Sequence, residues 1–122
     1  MSRHLVPGEP GREFSTRERC FITEILNDPQ VPDVSLARCR VPAGVTTELH
    51  SLSVDEVYVI RCGHGRMHVG DAAPFCVKAG DAVSIPAGVA QCIANTGTSD
   101  LVFECLCRPR FTPASYTPLE SA

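Results

Sequence analysis

No run of about 18 apolar residues occurs anywhere in this 122-residue chain, so the sequence offers no candidate membrane-spanning helix. The opening stretch, MSRHLVPGEPGREFS, lacks the apolar segment of a secretory signal, and a cytoplasmic location is expected. Positive charge is neither abundant nor clustered. The 11 Lys and Arg are outnumbered by 14 Asp and Glu, giving a net charge of -3 and no basic stripe for nucleic acid. That leaves small molecules as the expected partners. Seven cysteines include no C-x-x-C pair and are odd in number, which argues against a zinc knuckle. Most of them lie in apolar runs, where a reduced thiol behaves as a small hydrophobe. Also missing are a hydrophobic 3.6-residue period over ten or more positions, an internal repeat and a low-complexity tract.

What remains is the texture of a β protein. At 43% hydrophobic and 20% charged residues, the chain has material for one modest core and no second domain. Residues 1–18 carry Pro7, Gly8, Pro10 and Gly11 among charges and are expected to form a flexible arm. From Cys20 onward, nine short β-rich runs follow one another: CFITEIL, VSLARCR, TTELHS, EVYVIR, RMHV, PFCVK, AVSIP, AQCIAN and LVFECLC. Turn residues separate them, as in Asn27-Asp28-Pro29, Gly70-Asp71 and Asn95-Thr96-Gly97. Even, short strands with regular turns indicate a sandwich or barrel over residues 19–108. The tail, 109–122, contains Pro109, Pro113 and Pro118, which rule out a regular central strand there.

Alternation along the strands selects candidate interior residues. It puts His50 and Leu52 on one face of one strand, and Glu56, Tyr58 and Ile60 on one face of the next. A buried carboxylate costs several kcal/mol unless it is paired or bound to metal, so Glu56 needs a partner, and His50 is the expected one. In the last run, Phe103 and Cys105 are expected to face inward if Glu104 faces out. Tyr58 is either core or a phenolic donor to a substrate. His68 is a further possible ligand whose face depends on the preceding glycine turn. Arg38, Arg40, Arg61 and Arg66 are mostly solvent-facing, though one turned inward could hold a carboxylate substrate.

The stretch from Gly44 to Gly63, with His50, Leu52 and Glu56 between them, resembles the first cupin motif. That from Gly80 to Asn95, with Pro86, Gly88 and Gln91, resembles the second. The resemblance covers residues 44–95 and extends over flanking strands to about 108. It implies an all-β, single-domain cupin, a jelly-roll barrel of two packed antiparallel sheets. In the family, two histidines and a glutamate of the first motif and a histidine of the second hold a divalent metal. His50 and Glu56 match that pattern, Leu52 replaces one histidine, and Gln91 stands where the other belongs.

The resemblance therefore implies a metal-dependent enzyme acting on a small metabolite by oxygenase, isomerase or lyase chemistry. His50 and Glu56 would hold Fe, Mn or Zn, and Gln91 would complete or border the shell. Tyr58 and Cys105 would be pocket residues. The alternative is a non-catalytic binding or sensor barrel with a degenerate, metal-free site. By analogy with related barrels, a twofold homodimer is expected, with the tail lying over the barrel or across the dimer interface.

Overall fold

A computed structural model describes residues 4–8 and 12–120 of the chain. Residues 1–3 and 9–11 of the expected arm, and 121–122 of the tail, lie outside the described residues. The described elements are nearly all strands: β1 (Phe14–Ser15), β2 (Phe21–Leu26), β3 (Ser35–Val41), β4 (His50–Leu52), β5 (Asp55–Cys62), β6 (His64–Val69), β7 (Phe75–Lys78), β8 (Ala82–Ile85), β9 (Gln91–Asn95), β10 (Leu101–Arg108) and β11 (Tyr116–Pro118). One 3-10 turn, Pro113–Ser115, precedes β11. All pairings are antiparallel. They build a six-stranded sheet, β1-β2-β3-β10-β5-β8, and a five-stranded sheet, β11-β4-β9-β6-β7.

The longest strands alternate as the sequence requires. In β10, Leu101, Phe103, Cys105 and Cys107 are buried while the residues between them are half-buried or exposed. In β5 the same holds for Glu56, Tyr58 and Ile60. Phe103, Ile60, Met67, Ile93 and Leu101 are among the most completely buried side chains. They belong to one continuous core between the sheets. Removing each from water contributes about 1.5–3 kcal/mol.

Three features differ from the sequence reading. Residues 46–49 of the TTELHS run leave the strand. Thr47 draws the chain onto Ile93 instead, its N–H bonding the Ile93 carbonyl at 2.9 Å and its Oγ1 accepting the Ile93 N–H at 2.9 Å. Two strands were not expected at all. Phe14 and Ser15, assigned to the loose arm, pair with Ile22 and Phe21. In the tail, Tyr116–Pro118 pairs with β4. That last strand lies at the sheet edge, where Pro118 removes no ladder bond.

Turns fix how the strands meet. Gly63, between β5 and β6, has φ +88°, and a Cβ there would stand 2.9 Å from the Asp100 carbonyl oxygen. Glycine is required on both counts. The Pro86-x-Gly88 turn ties the two motifs together: the Gly88 N–H donates to Leu52 O at 2.7 Å, and the Ala87 N–H to the Asp55 carboxylate at 2.9 Å. Asn95 closes the second motif by donating to Val41 O and Ser99 O at 2.9 and 2.8 Å. These bonds hold the ends of β4, β5 and β9 in register around the barrel interior.

Candidate functional site

The inner faces of the two sheets enclose a cavity of about 190 Å³. Its walls come from the inward residues of β3, β4, β5 and β10, from Phe111 and Tyr116 of the tail, and from every even-numbered residue between Phe14 and Leu26. His50, Glu56, Tyr58 and Cys105, expected at the site from the sequence, all line it. Gln91 is 1% exposed and pairs with His50 across β4 and β9. His68 is not brought in. It alternates with Met67 and Val69, which pack on the core, and so faces away from the barrel interior.

The expected ion pair between His50 and Glu56 is not formed. Gln91 sits opposite His50 in the sheet and its amide bridges to the neighbouring sheet. Its Nε2 donates to Glu56 Oε1 at 2.8 Å, and its Oε1 accepts the Tyr58 hydroxyl at 2.7 Å. The second Glu56 oxygen faces the Cys107 thiol at 3.8 Å. Cys107 lies directly across from Glu56 in the β10–β5 register. Burial pushes the Glu56 carboxyl above its ordinary 4.5, although hydrogen bonds from Gln91, Cys105 and Cys107 oppose the shift. The same desolvation raises Tyr58 well above the usual phenol value and lifts Cys107 to about 12.

His50 has other partners. Its Nδ1 lies 2.7 Å from the Glu48 carbonyl oxygen. A carbonyl only accepts, so Nδ1 carries the hydrogen and Nε2 faces the cavity. There it meets Glu18 Oε1 at 3.4 Å. Burial raises the Glu18 carboxyl, offset by the nearby His50 and reinforced by Glu56 and Glu48. The Tyr116 ring stacks on the imidazole with centroids 4.8 Å apart, and its hydroxyl donates to Glu48. Arg17 grips the same Glu48 carboxylate through two nitrogens, each at 3.1 Å. Both chain ends thus converge on the segment that carries His50.

Glu18, Cys20, Cys107 and Tyr116 were missed by the sequence reading. A signal existed for the first two, since alternate residues from Phe14 to Leu26 all face the cavity despite the turn at 16–20. The inward arginine left open as a substrate anchor is absent from the lining. Arg40 pairs with Glu13 and Asp100, and Arg61 with Glu104, on the outside of the sheet.

The profile of the cupin domain matches residues 37–107, more than half of the chain. The chain belongs to the cupin family. Comparison with curated proteins finds no match. Among solved structures, this cupin is similar to an oxalate decarboxylase–formate complex from Lactobacillus farciminis, at 23% identity and a TM-score of 0.74, over 88% of this chain and 33% of that one. The Bacillus subtilis oxalate decarboxylase gives 18% identity and 0.76 over 93% and 33%. An uncharacterized Klebsiella pneumoniae protein with a double-stranded β-helix domain gives 17% and 0.72 over 99% and 100%. The chain thus spans about a third of the two decarboxylases. At these identities the likeness is one of fold.

The donors present do not fit a preformed metal centre. Among the described residues, no three His, Cys, Asp or Glu side chains gather in a ligating arrangement. No buried side-chain nitrogen or oxygen among them lacks a hydrogen-bond partner. His50, Glu56 and Gln91 are close together, as the motif implies, but each is turned to a protein group. With Leu52 in place of a histidine and the Gln91 oxygen held by Tyr58, the second motif supplies no free donor.

Proposed function

We propose that this cupin binds a small, largely apolar molecule inside its barrel without a resident metal, the role the sequence left as the alternative to metal-dependent catalysis. One observation carries the reading: the polar groups around the cavity are already bonded to one another, while much of the remaining wall is apolar. Such an interior suits a ligand held by shape and burial, oriented by a few polar groups. An apolar cavity of about 150 Å³ takes benzene. A space of about 190 Å³ therefore suits a single ring or a short branched chain.

Metal analysis and calorimetry test this. Protein purified without chelator is expected to carry no stoichiometric Fe, Mn or Zn, and its melting temperature should not respond to added divalent ions. It should bind a neutral ring such as benzyl alcohol. Stoichiometric metal that disappears in His50→Ala and in Glu56→Ala overturns the proposal and restores the metal-dependent enzyme. The homodimer inferred from related barrels belongs to the same proposal, and a single monomer species in sedimentation removes it.

A further inference from the structure

The chain has five Phe and two Tyr. Five of these seven rings, Phe14, Tyr58, Phe103, Phe111 and Tyr116, line this cavity. Three of them belong to stacked pairs, Tyr58 on Phe103 at 4.5 Å and Tyr116 on His50 at 4.8 Å. Between these rings stand two carboxyl groups from different parts of the chain, Glu18 from the N-terminal segment and Glu56 from β5. A third, Glu24, lies farther along β2. Among the described residues, no Lys or Arg lines the space.

The ionisable lining is therefore mostly acidic, with the His50 imidazole beside Glu18 as the group that can take a positive charge. The Tyr58 hydroxyl spends its hydrogen on Gln91 and keeps lone pairs. The carboxyl groups of Glu18 and Glu56 are acceptors when ionised, and the cavity thiols are weak donors. An anionic ligand would meet three carboxyl groups and, among the described residues, no guanidinium or ammonium. A cation would meet aromatic faces and carboxylates, the combination that favours desolvated ammonium groups.

We propose that the ligand of this cavity is a small organic cation, an ammonium group on a compact apolar body, with Glu18 and Glu56 as its counter-charges. The proposal rests on the binding function stated above and adds the charge of the ligand. Burial favours the protonated form of both acids while the cavity is empty.

Calorimetry on the full chain at pH 7 with three matched probes tests this: benzylammonium, benzyl alcohol and benzoate. Benzylammonium is expected to bind at least tenfold more tightly than benzyl alcohol, with benzoate weaker than either. Glu18→Gln and Glu56→Gln should each reduce the ammonium preference, read as the ratio of benzylammonium to benzyl alcohol affinity in the same variant, about tenfold. Glu18 lies outside the barrel strands, so its variant is informative even if Glu56→Gln fails to fold. Benzyl alcohol binding as tightly as benzylammonium overturns the charge inference alone. Failure of all three probes overturns the binding function with it.

Discussion

Glu56 faces an amide and a thiol where the motif implies a cation, and that neighbourhood sets its behaviour with pH. Its carboxyl holds a proton more readily in the folded chain than in the unfolded one. The folded state therefore binds more protons between the ordinary value of 4.5 and the raised one. The stability this contributes is complete below 4.5 and is lost as pH rises through the folded value. In urea unfolding from pH 4 to 8, the wild type is expected to weaken relative to Glu56→Gln as pH rises. A difference that stays flat with pH contradicts the assignment. Tyr58 allows a second test. Tyr58→Phe leaves Gln91 Oε1 buried without its donor and is expected to cost about 1–3 kcal/mol, read from the same unfolding curves. Alternation alone placed Glu56, Tyr58 and Cys105 inside. It said nothing of Gln91 bridging Glu56 and Tyr58, because that contact joins strands of different sheets.

At the level of elements, the two chain ends do more than their composition suggests. The segment after Phe14 reads as an arm because Pro7, Gly8, Pro10 and Gly11 dominate what precedes it. Yet Arg17 and Glu18 anchor on Glu48 and His50. β11 reads as tail because of its prolines, yet an edge position tolerates Pro118, and Tyr116 covers the imidazole. Tyr116→Phe keeps the stack and loses the hydroxyl bond to Glu48. It is expected to cost about 1 kcal/mol by denaturation, with ligand binding retained. Gly63→Ala tests the turn that joins the sheets. At φ +88° and with the Asp100 carbonyl in the way, it should destabilise by on the order of 1–3 kcal/mol. A change within a few tenths would mean the turn rearranges freely.

For the molecule as a whole, a ligand that enters only the folded barrel stabilises it by mass action, by about 2.7 kcal/mol at a hundredfold excess over Kd. Saturating benzylammonium should therefore raise the melting temperature, whereas a chelator should leave it unchanged. A fall on adding chelator would point to a bound ion. The sequence by itself determined most of the strands between Cys20 and Arg108, their inward faces and the motif glycines, because period-two alternation and positive-φ turns are local properties of the chain. Only the tertiary structure decided which partners the buried acids meet. Glu18, Glu48, Glu56 and Gln91 come from distant stretches, and whether a carboxyl group faces a metal, an amide or an imidazole depends on how the two sheets and both chain ends close over one another.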